Sequence, residues 1–239
     1  MSLKIFHTVN AGLYFHNSEH GLLIDGLHLG DGGFSVTPKT LVEQILSHTG
    51  LFAKKIDLAF THLHGDHFDP ALVRRFYEKN PDSGIYAPEL SMACSSVKNL
   101  AGGIDRLWFG DFLLTTFSTT HDGAPFANQP HRSFCLQAEG QQYIICGDAI
   151  LNQSLAKQMT AFCSETTDAV FINVYQLASP GGLAFLKEID PQQVFLYHLP
   201  FPEEDPYGYR KMAKSIVSQQ SYDWEQRIRI PDPLSHIIL

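Results

Sequence analysis

The 239-residue sequence contains no apolar run long enough to cross a membrane. Its longest runs, such as Tyr143–Cys146 and Ala169–Ile172, are far shorter than the ~20 residues that a transmembrane helix needs. The N-terminal segment MSLKIFHTVN lacks the continuous apolar stretch of a signal peptide. These absences predict a cytoplasmic protein that makes no membrane contact.

The sequence also lacks a CxxC pair, although it has four cysteines: Cys94, Cys135, Cys146 and Cys163. A chain of this length builds a core without disulfides, so we expect reduced thiols. Cys135 and Cys146 flank a predicted hairpin turn at Gly140. We expect these two cysteines to be small core residues.

Positive charge is scarce, because 17 Lys and Arg face 25 Asp and Glu, which gives a net charge of −8. An acidic chain repels polyphosphate, so nucleic acid is disfavoured as a partner and a small-molecule substrate is expected. A homo-oligomer is compatible with these features. No linker-like tract or shift in composition divides the sequence, which predicts one domain over residues 1–239.

Short apolar or alternating runs predict two groups of strands, each accompanied by helices. Three helix starts are predicted where a capping residue precedes proline: Thr37-Pro38, Asp69-Pro70 and Asp205-Pro206. Another helix is predicted over residues 90–97. Two such halves predict an α+β fold, in which two packed sheets carry helices on their outer faces as a four-layer αββα sandwich.

Histidine is abundant, with 12 residues, and several of them are clustered. Four potential metal ligands follow the predicted strand at residues 56–60: His62, His64, Asp66 and His67. A tight turn between this strand and the helix capped by Asp69 can point them into one pocket, and Gly65 is expected to allow the bend. Imidazole and carboxylate ligands suit Zn²⁺, and also Fe or Mn.

A catalytic metal needs about three protein ligands and an open position, so further ligands must come from elsewhere in the chain. Three later predicted strands each stop at a suitable side chain: His121, Asp148 and His198. Strand ends are where α/β enzymes place functional groups. The sequence therefore predicts a metal site at one edge of the fold.

The HxHxDH motif at residues 62–67, followed in order by His121, Asp148 and His198, resembles the metallo-β-lactamase superfamily over about residues 5–198. The resemblance implies two divalent metal ions, with Zn²⁺ expected first and Mn or Fe as alternatives. The implied ligand sets are His62, His64 and His121 for one ion and Asp66, His67 and His198 for the second, with Asp148 bridging them. Asp25 matches a recurrent acidic residue that orients ligands.

The resemblance further implies a hydrolase that uses a metal-bound hydroxide, available near neutral pH. Asp66 is the expected catalytic residue, because it can accept the proton of water and later protonate the leaving group. The His-Phe-Asp ending at residues 67–69 is similar to the L-ascorbate phosphate lactonase and N-acyl-phosphatidylethanolamine phospholipase D branches. We therefore expect cleavage of a lactone or phosphodiester in a small, anionic metabolite.

Two rival classes share this fold. A nuclease or RNA-processing enzyme needs a basic track along its substrate, which the net charge disfavours. An iron-dependent redox enzyme or an inactive binding protein is the second alternative. The complete ligand set argues against inactivity but is compatible with iron.

Other residues near these motifs receive weaker expectations. Asp69 is expected to act only as a helix cap, and Asp122 to lie in a turn or beside the site. A role in the substrate pocket stays open for four residues: Phe126, His131, Phe201 and Tyr207. Six histidines are expected to be ordinary structural residues: His7, His16, His20, His28, His48 and His236.

Overall fold

Two β-sheets lie face to face in the computed structural model, which describes residues 3–88, 90–92, 98–100, 103–163 and 166–239. The first sheet consists of β1 (Lys4–His7), β2 (Leu13–His16), β3 (His20–Ile24), β4 (Lys55–Ala59), β5 (Ile85–Ala87), β6 (Leu90–Met92) and β15 (Ser235–Ile237). Its spatial order is β15-β1-β2-β3-β4-β5-β6. Strands β3, β4 and β5 run parallel, so the segments after β3 and β4 leave the same edge of the sheet.

The second sheet consists of β7 (Lys98–Leu100), β8 (Ile104–Phe109), β9 (Phe112–Thr120), β10 (Pro130–Ala138), β11 (Gln141–Ile145), β12 (Ala169–Ile172), β13 (Gln193–Leu196) and β14 (Ile228–Arg229). Its spatial order is β14-β13-β12-β11-β10-β9-β8-β7. Strands β11, β12 and β13 are parallel neighbours. The segments that follow them therefore meet at one edge of this sheet.

The apolar strands of the second sheet are buried on both faces. Along β11 and the residue after it, Tyr143 and Ile145 belong to the core between the sheets, whereas Ile144 and Cys146 belong to the core under the helices. Successive side chains of a strand point to opposite faces, so a continuous apolar run supplies both cores. Cys135 and Cys146 are buried free thiols, as predicted; Cys94 lies outside the described residues.

Helices cover the outer faces of both sheets, which confirms the predicted order of layers. The helices are α1 (Lys39–Ser47), α2 (Pro70–Lys79), α3 (Gln153–Thr160), α4 (Val174–Ala178), α5 (Pro180–Ile189), α6 (Tyr209–Val217) and α7 (Tyr222–Arg227). The buried stripes of α1 and α2 pack on the first sheet, and those of α3 to α6 pack on the second. None of the described helices combines the length and apolar character that a membrane crossing would require.

The predicted helix starts differ in accuracy. Asp69 caps α2 as predicted, since its Oδ1 accepts a hydrogen bond from the Leu72 amide at 2.7 Å. The prediction for Thr37 is wrong, because α1 begins at Lys39 with no side-chain cap and Thr37 Oγ1 donates to the Gly26 carbonyl instead. Asp205 does not directly precede α6, which begins at Tyr209. Its carboxylate nevertheless accepts hydrogen bonds from the amides of Tyr209 and Arg210, at 2.8 Å each.

The prediction of a helix over residues 90–97 is also wrong for the part of that segment that the structure describes. Leu90–Met92 is strand β6 and pairs antiparallel with β5. Residues 93–97 lie outside the described part of the chain.

Candidate metal centre

Hydrogen bonds hold the turn after β4 at its start and in its middle. At its start, the Thr61 amide donates to Asp25 Oδ1 at 2.8 Å. In its middle, the amides of His67 and Phe68 both donate to the His64 carbonyl, at 3.0 and 2.8 Å, and α2 begins directly afterwards. Gly65 does not have a positive φ. Its missing side chain instead allows close approach, because a Cβ there would lie 3.3 Å from Cβ of Asp31.

The remaining candidate ligands come from the segments that follow strands of the second sheet. His121 follows β9 and forms an isolated bridge with Ala149, so the loops after β9 and β11 are paired. Asp148 lies in the second of these loops, where its carbonyl accepts from the Asp122 amide at 2.7 Å. His198 follows β13 and has a left-handed backbone, with φ of 59°. Its amide donates to the Asn10 carbonyl at 2.8 Å, which ties this ligand to the first sheet.

The structure brings all seven sequence-predicted ligands together. Their nitrogen and oxygen atoms form three groups in which every ligand atom lies within 4.8 Å of the others: His62, His64 and His121; His62, His67 and Asp148; and Asp66, His67 and His198. The first and third groups coincide with the two ligand sets that the sequence resemblance implied. The second group connects them.

Asp148 occupies the middle of the cluster. Its Oδ2 lies 3.8 Å from His62 Nε2, 3.5 Å from His67 Nε2 and 3.7 Å from His121 Nε2. Its Oδ1 lies 3.3 Å from His198 Nδ1. A carboxylate with one oxygen facing histidines of both sets has the position that a bridging ligand requires.

Two buried ring nitrogens fit a metal better than they fit the protein alone. His67 Nε2 and His121 Nε2 have no hydrogen-bond partner. Buried polar atoms are nearly always satisfied, so such atoms need an explanation. In both rings the opposite nitrogen is engaged, since His121 Nδ1 donates to the Asp122 carbonyl and His67 Nδ1 lies 3.0 Å from Asp25 Oδ2. This arrangement leaves Nε2 of each ring facing the cluster, as the nitrogen that a metal ion would bind.

Asp25 lies where the resemblance placed it, behind the ligands. It is fully buried with φ of 49°, and its Oδ2 accepts from Thr61 Oγ1 at 2.7 Å as well as from His67. The carboxylate therefore fixes both the start of the ligand turn and the orientation of the His67 ring. Acidic partners of this kind raise the basicity of a metal-binding histidine.

The electrostatics of the cluster favour positive charge. Burial, reinforced by the neighbouring His67, keeps the pKa of His62 well below its ordinary value, so that ring is neutral and available to a metal. Burial also opposes charge on His67, but Asp25 and Asp66 outweigh it and raise the pKa of His67 well above the ordinary value. Burial likewise opposes charge on His198, but Asp148 raises its pKa to about 9. The aspartates thus favour a proton on His67 and on His198, at the positions where a metal ion would bind.

His131 supports the candidate ligands in a way that the sequence did not predict. It is buried at the start of β10 and is not among the described residues that line the cavity. Its Nε2 accepts a hydrogen bond from the Asp148 amide at 2.9 Å, so Nδ1 carries the proton and donates to Thr119 Oγ1 at 2.6 Å. The ring therefore positions the backbone of Asp148 without touching the ligand atoms.

Asn173 supports the side chain of the same aspartate. It caps α4 through a reciprocal pair of hydrogen bonds with Gln176, and its Nδ2 donates to Asp148 Oδ1 at 3.0 Å. Gln176 in turn donates to the carbonyls of Gly147 and Ala149. The sequence signal that could have predicted this contact is an Asn followed three residues later by a Gln, directly after an apolar strand.

The other candidates are placed as follows. Asp122 contributes its carbonyl to His121, and its exposed carboxylate caps the Gly123 amide. Phe126 lines the cavity over the cluster, whereas Phe201 and Tyr207 do not. The six histidines expected to be ordinary lie outside the ligand groups formed by the described residues. Burial raises the pKa of Cys146, and among the described cysteines none belongs to a ligand group.

Comparisons with known proteins support the fold. No family model and no curated protein match the sequence. Solved structures match along almost the whole chain at low identity. The isothiocyanate hydrolase from Delia radicum gut bacteria has a TM-score of 0.65 at 15% identity, with 99% of each chain covered. A metallo-beta-lactamase fold protein from Bacillus subtilis has a TM-score of 0.60 at 15% identity, again with 99% of each chain covered.

A third structure extends the comparison to an oxygenase. CmlA, a diiron beta-hydroxylase from Streptomyces venezuelae, has a TM-score of 0.67 at 12% identity. All of this chain but only 54% of CmlA is covered. The two-sheet architecture together with these matches defines the class: the chain has the metallo-β-lactamase fold. Because hydrolases and an oxygenase share that fold, the fold alone does not identify the reaction.

Proposed function

We propose that this chain is a binuclear metal-dependent hydrolase that cleaves an ester-like bond, acting as one domain. The observation that carries the proposal is the pair of ligand groups that share the space around Asp148. Seven His and Asp ligands are too many for one tetrahedral ion. Zn²⁺ suits these ligands, and Mn or Fe would bind the same donor types.

Two divalent ions bound here would acidify a water molecule and polarise the carbonyl or phosphoryl group of a substrate. The chain's own residues would then set the geometry. Asp148 would hold the two ligand sets at a fixed separation, because His131 and Asn173 secure its backbone and side chain. Asp25 would hold His67 in the tautomer whose Nε2 faces the cluster.

Asp66 is the residue proposed to move protons. It lines the cavity, and its Oδ2 lies 3.0 Å from His198 Nε2. Burial opposes its ionisation, but His67 and His198 outweigh burial and lower the pKa of Asp66 to about 2. We propose that this carboxylate accepts a proton from the attacking water. Returning that proton to the leaving oxygen would complete the cleavage, because an alkoxide leaves poorly.

The bond proposed is that of a carboxylic ester, whose cyclic form, a lactone, is one of the two bond types that the sequence resemblance suggested. The similarity to a diiron beta-hydroxylase supports a second candidate, an iron-dependent oxidation on the same ligands. The two candidates differ in their requirement for O₂. Ester hydrolysis proceeds without O₂, whereas the oxidation consumes it.

The test combines metal analysis with a hydrolysis screen. Metal-free protein is loaded separately with Zn²⁺, Mn²⁺ or Fe²⁺ and assayed with esters, lactones and a phosphodiester, with and without O₂. We expect ester or lactone hydrolysis that needs no O₂ and falls at least 100-fold in Asp66→Asn, which replaces the proton acceptor with an amide of equal size. Retained activity in Asp66→Asn with both metals bound would remove Asp66 from the mechanism. Turnover only with iron and O₂ would favour the second candidate.

A further inference from the structure

A small cavity lies directly over the candidate ligands. Its volume is about 230 Å³. Apart from ligands, it is lined by Asp31, Gly32 and Phe34 of one loop and by Phe126 of another. A cavity of this size admits a short acyl chain or one ring rather than an extended polymer.

Aromatic rings flank the cluster on both sides. The Phe34 ring stacks on His198, with ring centroids 4.2 Å apart and planes 14° from parallel. The Phe126 ring lies 4.9 Å from the His64 ring and 5.4 Å from the His121 ring. One phenylalanine therefore borders each ligand set. Phe126 is 47% exposed, so part of its apolar surface is free to contact a ligand.

The loop that carries Phe34 is firmly built. Tyr209 stacks on Phe34 with planes 4° from parallel. Gly33 has φ of 89°, a backbone conformation that other residues rarely adopt, and a Cβ there would lie 2.3 Å from the Tyr207 ring, so a larger residue would be strained at that position. Beyond Phe34, Asn10 exchanges two hydrogen bonds with the backbone of Ser35. The aromatic wall is therefore a preformed surface.

Apart from the candidate ligands, the charged side chain among the described residues that line the cavity is the acidic Asp31. Asp31 is exposed at its mouth, with its Oδ1 accepting from the Gly32 amide. Among the described residues that line the cavity there is no Lys or Arg. Sites that recognise phosphate or carboxylate groups normally supply such a cation. A negative charge at the acyl end of a substrate, away from the ligands, would meet no Lys or Arg among the described lining residues and would face Asp31.

We propose that the substrate presents an uncharged, apolar acyl group to Phe34 and Phe126, and that Asp31 discriminates against anionic acyl groups. This inference rests on the proposed hydrolase function and names its substrate class. It replaces the anionic metabolite expected from the sequence resemblance. Phe126 and Asp31 are the specificity-determining residues, the first through apolar contact and the second through repulsion.

The activity test uses two esters with the same leaving group and the same number of acyl carbons. They are 4-nitrophenyl butyrate, which is neutral, and mono-4-nitrophenyl succinate, which carries a terminal carboxylate. We expect the metal-loaded protein to prefer the butyrate at least tenfold in kcat/KM. Asp31→Asn should raise kcat/KM for the succinate about threefold relative to that for the butyrate, the scale of an exposed charge interaction. Asp111→Asn, an exposed aspartate in the turn between β8 and β9, is the matched control.

A binding test removes the dependence on turnover. The dissociation constants of 4-phenylbutanol and 4-phenylbutyrate for metal-free protein are measured by NMR titration. We expect the alcohol to bind more tightly than the acid. Asp31→Asn should reduce the difference between the two dissociation constants, whereas Asp111→Asn should leave that difference unchanged. Phe126→Ala should weaken the alcohol about fivefold through lost apolar contact.

The outcomes separate this inference from the function on which it rests. Hydrolysis of neither ester by fully loaded protein would refute the ester hydrolase. Hydrolysis with a preference for the succinate, or a preference that Asp31→Asn does not alter, would refute the substrate class alone. Equal binding of the alcohol and the acid to metal-free protein would also refute it.

Discussion

Replacing His131 tests whether a residue outside the ligand set controls the centre. His131→Leu keeps the approximate side-chain volume but removes the acceptor for the Asp148 amide, now at 2.9 Å from Nε2. Leaving a buried donor unpaired costs about 1–3 kcal/mol. Because this hydrogen bond is only partly buried, we expect about 1–2 kcal/mol. Loss of an outer residue that orients a ligand also weakens metal binding by about 10–100-fold.

Two measurements report these effects. Urea unfolding of metal-free protein, followed by circular dichroism, gives the change in stability. Competition with a chromophoric chelator gives the Zn²⁺ affinity. His131→Gln places an amide oxygen near the position of Nε2 and should recover most of both losses. His236→Leu, at an exposed histidine of β15, is the control for the type of substitution.

A His131→Leu protein with wild-type stability and wild-type Zn²⁺ affinity would contradict this role of His131. Equal losses in His131→Gln and His131→Leu would also count against it. That result would mean that ring packing, rather than the hydrogen bond to Asp148, is the contribution of His131. Burial lowers the pKa of His131 to about 3, so the ring that accepts from the Asp148 amide is neutral near neutral pH.

Four further predictions follow from the same structure. Mass spectrometry of fully loaded protein should find two metal ions per chain; a single ion, with Asp66 and His198 unbound, would contradict the binuclear centre. His64→Ala should abolish hydrolysis but leave the circular dichroism spectrum and melting temperature nearly unchanged, because this half-buried residue lies at the sheet edge. Gly147→Ala should destabilise the protein by about 2 kcal/mol or more, since a Cβ there would lie 2.7 Å from His131 Nε2 on a backbone with φ of 57°. The control is Gly140→Ala, at a position with φ of 80° and no atom within 4 Å of the added Cβ. It should cost only the backbone strain of about 1–2 kcal/mol. Stability should fall as the pH drops from about 6.5 toward 4, because burial lowers the pKa of His16 to about 4 and the unfolded chain then binds more protons; urea unfolding across this pH range should show a shallower fall in His16→Gln.

Local sequence patterns were sufficient for the layers of the fold and for the ligand turn. A two-residue period places Tyr143 and Ile144 on opposite faces of β11, and the Asp69-Pro70 pair begins α2. Such signals extend over only a few residues, so they can be read without knowing what packs against them. The same locality makes HxHxDH visible, because His62, His64 and His67 belong to one turn.

Local patterns failed where a tertiary contact competed with them. Thr37 resembles a helix cap, but its hydroxyl is taken by the Gly26 carbonyl of the first sheet. Residues 90–92 were predicted to be helical, but they pair with β5 as an edge strand. In both cases a long-range partner outweighed the local preference.

The donor types of the candidate centre, their order along the chain and their positions after apolar strands are visible in the sequence. How these donors are held depends on contacts between distant parts of the chain. His198 meets Asp66 across 132 residues, and His131 acquires its role from an amide 17 residues away. The loop at Gly30–Phe34 becomes a cavity wall only because Tyr207 and Tyr209 pack behind it. The charge that a substrate meets depends on which few side chains converge on the cavity, and convergence is a property of packing rather than of composition.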